Sequence, residues 1–227
     1  RTDGGVLLGS LGAAVGVGLT AAGLAWVACQ GAVTSRWFGR FLFALCVLLA
    51  VAPGPVVGLG LKQSINRLMD AEDAVLAAVG ATPTFPPVRS ALYDQPSPLP
   101  AGWAAVIRLC PVAVAVLWPA VRAVPKELRE AVALDGLGAW AEWRLVLAPL
   151  TGPAAVRAAV AVAALALCEV SAAKVVNPPL RSYIFRLFDQ MHYGAEGTVA
   201  ALALVQVAAT AALVWLASGG RGSRRAA

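Results

Sequence analysis

Residues 125–149, PKELREAVALDGLGAWAEWRLVLAP, form a polar, helix-capable island between strongly apolar segments. Pro125 suits the first turn of a helix, where its missing N–H costs nothing. Glu127 and Glu130 fall near the positive end of that helix, and Lys126 and Glu130 are spaced i,i+4. Gly136 supplies a stop in the left-handed region, and a second short helix through Trp140 and Trp143 runs to Pro149. Leu128, Ala131 and Val132 make a small apolar face on the first helix. The spacing therefore predicts helix, glycine turn, helix, held between segments of a very different chemistry.

Those flanking segments are suited to lipid. Apolar residues make up 59% of the chain and charged residues 13%, far from the balance of a soluble domain. No charge occurs between Asp3 and Arg36, between Arg40 and Lys62, or between Glu196 and Arg221. Each gap accommodates a spanning helix, which needs about 20 residues. Two further spans carry isolated charges: Leu99 to Val124 with Arg108 inside, and Gly152 to Val175 with Arg157 and Glu169. The expected fold class is thus an all-α membrane protein with about five transmembrane helices. Abundant Gly and Ala allow those helices to approach closely in lipid. Pro53 and Pro55 are expected to bend the second span, and Pro111 and Pro119 the third. The first span is too long for a signal peptide, and no basic start precedes it. A chain beginning with Arg rather than Met is expected to be a fragment or the C-terminal half of a longer polypeptide. Residues 1–227 are read as one transmembrane domain.

The island resembles the EAA loop of the membrane subunits of ATP-binding-cassette (ABC) importers. That pattern is EAA, three residues, Gly, nine residues, then I-x-L-P. Glu130, Ala131 and Val132 stand for EAA, Gly136 follows at the right distance, and Val146 and Pro149 stand for the Ile and the Pro. Val132 in place of Ala and Ala148 in place of Leu depart from the pattern but stay apolar. The resemblance implies a type I permease whose cytoplasmic loop, residues 125–149, docks on a separate ATPase. It assigns ATPase coupling to Glu127, Glu130, Ala131, Asp135, Gly136 and Pro149. It also implies a second permease half and an extracytoplasmic solute-binding protein that selects the cargo. The phrase FDQMHYGAEGTVAAL resembles the matching segment in the ferric iron, thiamine and polyamine importer group, which gives the candidate cargoes. The implied location is the bacterial inner membrane.

Lys and Arg counts favour, by a thin majority, placing that loop and the C-terminus in the cytosol, with the N-terminus outside. On the outer side, KQSINRLMDAEDAVLAAVG from Lys62 reads as an amphipathic helix. Prolines 83, 86, 87, 96, 98 and 100 then favour an extended connector. In the second outer loop Tyr183, Ile184, Leu187, Phe188 and Met191 have the spacing of a short interfacial helix.

Glu169 has two readings: a wall residue of the translocation path near the outer gate, favouring a cation, or an outer-interface carboxylate hydrated or paired with Lys174. The second is the plainer. Arg108 and Arg157 are expected to snorkel toward opposite surfaces. His192, the single histidine, fits a helix-end cap better than a metal ligand, and no carboxylate or tyrosine cluster accompanies it. Cys29, Cys46, Cys110 and Cys168 lie in apolar spans without metal or CxxC spacing and read as packing residues.

Several classes are excluded. There is no GxxxxGK[ST] loop, so any ATP hydrolysis belongs to a partner. HExxH and GxSxG are missing and one histidine leaves little room for a hydrolase site, so no enzyme, cofactor or metal is expected. The basic tail SGGRGSRRAA suits lipid headgroups rather than nucleic acid. A secondary transporter or a non-transport membrane assembly protein are the alternatives. The first should show ion-coupling residues or an internal repeat, and the second leaves the EAA-like spacing without a use.

Overall fold

In the computed structural model, residues 3–80, 87–94, 97–176, 182–193 and 196–218 are described, and all of their regular structure is helical. Helix α1 (Asp3–Thr34) is about 48 Å long by helical rise, more than a bilayer core requires. α5 (Leu99–Arg122) lies parallel to it and α8 (Ala148–Ala166) antiparallel, and the three pack mutually into the core. Their shared interior is made largely of small side chains, including Ala21, Ala25, Cys29, Ala113 and Ala158, around Val114, Leu117 and Val162. A side chain on Gly18 of α1 would collide with the carbonyl oxygen of Ala159, so the α1–α8 backbones touch because that position is glycine. α5 keeps its helix through Pro111 and Pro119.

Four described helices are long and apolar enough to cross a membrane: Gly4–Thr34, Leu99–Arg122, Trp140–Ala166 and Glu196–Trp215. The expected second span, Arg40 to Lys62, is instead broken. α2 (Arg36–Val51) starts at Ser35, whose hydroxyl accepts from Phe38 N at 3.4 Å, and α3 (Gly54–Val79) leaves it at 111°. Ala52 before Pro53 is forced extended, at φ −62 and ψ 128, and neither Pro53 nor Pro55 can donate a helical hydrogen bond. Those constraints interrupt the helix, and with Gly54 and Gly58 seated closely against Ser171 and Ala172 the result is a sharp turn, where the sequence suggested only a bend. A fifth span exists only if α2 and α3 are counted together.

The amphipathic stretch after Lys62 is the continuation of α3, with Ile65 and Met69 buried against Leu92. Gly80, at φ +68, ends it. Glu72 accepts from the backbone N–H groups of Val88 (2.8 Å) and Arg89 (3.1 Å), which fixes the short α4 (Pro87–Arg89) and the π turn Ser90–Asp94. Of the expected extended connector, residues 81–86 and 95–96 lie outside the described residues, and residues 87–94 are helical turns, not extended chain. Pro87 opens a helical turn, and Pro98 and Pro100 start α5. Beyond α8 come α9 (Ser171–Val176), α10 (Tyr183–His192) and α11 (Glu196–Ser218). The expected helix in the second outer loop is α10, but its inward residues are Tyr183 and Phe185, while Phe188 and Met191 stay exposed. The Tyr183 hydroxyl donates to the Leu202 carbonyl and its N–H to Ser10 Oγ, so α10 is pinned to both α11 and α1.

Candidate functional site

At one end of the bundle the polar island folds as α6 (Lys126–Leu134), a turn, and α7 (Ala139–Glu142). Gly136 has φ +70, and Leu137 N donates to the Val132 carbonyl at 3.2 Å, the 6→1 bond of a glycine-terminated helix. The expected break at Pro149 does not occur. α7 runs through a π turn, Trp143–Leu147, straight into α8, and Pro149 lies within that continuous helical run. The fourth span accordingly begins near Trp140, upstream of the expected Gly152.

Of the expected apolar face only Val132 is buried, in a cluster with Val124, Val146 and Leu147 beside Trp143; Leu128 and Ala131 are exposed. Glu127, Glu130 and Asp135 are exposed and make no ion pair or side-chain hydrogen bond among the described residues, the expected Lys126–Glu130 pair included. The residue that ties α6 down is Arg129, whose side chain is only 18% exposed. Its Nη2 donates to Gln30 Oε1 of α1 at 3.0 Å, and its Nε lies 3.7 Å from Glu142 Oε1 of α7. Next to it Trp26 of α1 meets Trp143 at 5.6 Å between centroids, and Trp143 stacks on Trp140 at 4.9 Å. The loop is thus bonded to its own second helix and to the end of α1.

At the opposite end, Arg108 lies nine residues into α5, about 14 Å below the helix start. It does not snorkel. Its Nε donates to Glu169 Oε2 at 3.0 Å and its Nη1 to the Ala52 carbonyl, at the α2–α3 break, at 3.0 Å. The other oxygen of Glu169 accepts from Ser171 Oγ (2.7 Å) and Ala172 N (3.0 Å), which starts α9. The expected Glu169–Lys174 pair is corrected: Lys174 pairs with Asp189 of α10 at 2.6 Å. Arg108 and Glu169 are 29% and 10% exposed, and together they join two chain breaks through α5. Alongside, Gly54 and Gly58 of α3 lie flat on α9; a Cβ on Gly58 would sit 2.7 Å from the Ala172 carbonyl oxygen. Arg157 is exposed and its Nε bonds back to Pro153 O at 3.1 Å.

Glu169 also borders a cavity of ≈ 350 Å³ between the first halves of α1 and α5, the end of α8, α9 and α10. Ser10, Thr20 and Ser182 bring hydroxyls to an otherwise mostly apolar wall. His192 closes α10, with Nδ1 2.9 Å from the Phe188 carbonyl oxygen. Among the described residues no group of His, Cys, Asp and Glu could hold a metal ion, and the four cysteines are free.

Three parts of these sites were not read from the sequence. Arg108 and Glu169 are opposite charges in the interiors of two neighbouring spans, a signal for pairing. Gly54 and Gly58 are spaced four apart beside the prolines, the small-xxx-small signature of close helix contact. Arg129 carries no such mark. Comparison with protein-family models and with curated proteins gave no match for this chain.

Proposed function

We propose that this chain is the permease subunit of a bacterial ABC importer of the type I arrangement, lodged in the inner membrane with its N-terminus outside. One observation supports this reading most directly. The helix Lys126–Leu134 and the turn after it leave the carboxylates of Glu127, Glu130 and Asp135 exposed and, among the described residues, unpaired, while Arg129 and Trp143 fix the helix base to α1 and α7. A loop that merely had to stay soluble would gain nothing from that anchoring.

On this reading α6 is the coupling helix and inserts into a groove of a separate ATPase subunit, which carries out all nucleotide hydrolysis. Glu130 meets the ATPase by charge or hydrogen bond, Ala131 allows close approach, and Gly136 provides the reversal that presents the helix. Closure of two ATPases around ATP draws two such helices together and rocks the bundles between outward and inward access. Net work requires contacts that differ between those states. A second permease half completes the pore, and an extracytoplasmic binding protein delivers the cargo to the end that holds Glu169. Ferric iron, thiamine and polyamines are the cargoes suggested by the sequence resemblance.

The test uses tagged wild-type chain and Glu130→Lys, solubilised from host membranes under mild detergent, with co-purifying ATPase measured by quantitative mass spectrometry of its P-loop peptides. Recovery of ATPase with wild type, about tenfold reduced by Glu130→Lys at equal membrane content, is expected. Equal recovery removes Glu130 from its role. An alkaline phosphatase reporter fused after Gly138 that proves active, and hence exported, removes the importer reading altogether.

A further inference from the structure

We propose that the cavity beside Glu169 binds a small uncharged organic molecule, of about two fused rings, with one or two hydrogen-bonding groups. This rests on the permease reading only for its meaning as a station on the path; the binding itself does not depend on an ATPase.

Charge comes first. Among the described residues Glu169 is the one ionisable side chain on the cavity wall, and both of its oxygens are already engaged. One oxygen is held by Arg108 and the other by Ser171 and Ala172. The guanidinium offsets the carboxylate at 3.0 Å, so the wall formed by the described residues carries no net charge. A bare or polyvalent cation entering here would give up its water with no compensating oxygen cluster, a loss that an apolar wall cannot replace. The cargoes suggested by sequence resemblance are all cationic, and this wall does not suit them.

Shape and polarity then narrow the ligand. An apolar cavity of about 150 Å³ takes benzene; ≈ 350 Å³ holds a molecule roughly twice that size. The polar atoms left for it are hydroxyls. Ser10 Oγ accepts from Tyr183 N and Ser182 Oγ from Phe185 N, and each keeps its own proton for donation. Thr20 donates to the Gly16 carbonyl and can still accept. A few fixed polar groups on an apolar wall is the usual make-up of a small-molecule site.

Glycine at position 16 makes the test clean, because a Cβ there would meet nothing within 4 Å and would project from a wall residue of the cavity. The probe pair is 2-naphthol, uncharged at neutral pH, and 1-naphthylmethylamine, which has the same rings and a positive charge. Binding to the purified chain in detergent is followed by equilibrium dialysis, with Gly16→Leu as the filled-cavity variant. Gly9→Leu is the control, since Gly9 also faces open space and lies outside the cavity wall. Saturable naphthol binding by wild type and Gly9→Leu is expected, weakened about tenfold or more by Gly16→Leu, with the amine binding less tightly than the naphthol. Arg108→Gln, checked for monodispersity, should reverse that preference by uncovering Glu169. Naphthol uptake that is unsaturable or unaffected by Gly16→Leu overturns the proposal, as does tighter binding of the amine to wild type. Full displacement by n-decane also overturns it, by making the cavity a cleft for acyl chains. Failure of ATPase co-purification leaves these results standing and sinks only the permease reading.

Discussion

Replacing Glu169 by Leu should destabilise the bundle more than replacing both members of its ion pair. The single change strips Arg108 of its partner and leaves the Ser171 hydroxyl and Ala172 N–H without their acceptor. Breaking a fully buried pair costs about 3–5 kcal/mol. Arg108 retains 29% exposure and its bond to Ala52 O, so some hydration and one acceptor remain, and about 2–3 kcal/mol is the appropriate figure. Arg108→Met should cost a similar amount, since it leaves a buried carboxylate. The double variant Arg108→Met/Glu169→Leu removes both charges. What it forfeits is the acceptor of Ala172 N and the donor to Ala52 O, about 1–2 kcal/mol together, since the exposed Ser171 hydroxyl, which also loses its acceptor, can turn to solvent. Independent sites would instead add to about 4–6 kcal/mol. With roughly 2–4 °C of melting temperature per kcal/mol for a chain of this length, each single variant should melt well below wild type and the double variant above both singles. Thermal scans of detergent-solubilised protein, read by fluorescence size-exclusion chromatography, give that ranking directly. Additive losses, or a single variant that melts like wild type, would refute the pair as the joint between α5, α9 and the α2–α3 elbow.

Two further changes probe the turns that shape the sites. Gly58→Ala places a Cβ 2.7 Å from the Ala172 carbonyl oxygen and 3.0 Å from Val175 Cβ, so it should lower stability by about 1–3 kcal/mol, whereas Gly60→Ala meets nothing within 4 Å and should be near neutral in the same melting assay. Gly136→Val forces a β-branched residue to φ +70, at a cost of about 1–2 kcal/mol or more, and should abolish ATPase co-purification while membrane insertion is retained; Gly138→Ala, at an ordinary φ, should do neither.

The helices of this chain were legible because apolar length and charge-free gaps are local properties. The spans at α1, α5 and α11 were read almost residue for residue, and so was the helix before Gly136, where one residue at positive φ terminates it. Where the reading failed, a tertiary condition decided. Pro53 and Pro55 could have bent a continuous span; that they break it at 111° depends on Gly54 and Gly58 finding Ser171 and Ala172 to lie against. Pro149 looked like a terminator, yet the chain is already helical before that residue and the run continues through it into α8. Glu169 was given the wrong partner because Lys174 is near in sequence, while Arg108 is near only after α5 and α8 have packed. Pairing across helices carries no sequence period, so the site at Glu169 was visible as an anomaly and not as an arrangement.

The two ends of the bundle are mechanically one object if α1 is a stiff rod. Gln30, held by Arg129, and Ser10, which accepts from Tyr183 N at the cavity, are both on α1, twenty residues and about 30 Å apart along one unbroken helix. A pull on α6 therefore acts on the cavity wall without passing through a flexible segment, provided the latch at Gln30 has two arrangements available to it. Its chemistry is compatible with that: among the described residues Gln30 Nε2 and Trp26 Nε1 are buried donors that meet no acceptor. A partner gripping α6 could act on the cavity only by contacts that differ between this arrangement and one that gives those donors acceptors. At the cavity end Arg108 ties α5, the helix packed along α1, to the α2–α3 elbow and, through Glu169, to the start of α9, so α1 is braced there by a neighbour that is itself held at two chain breaks.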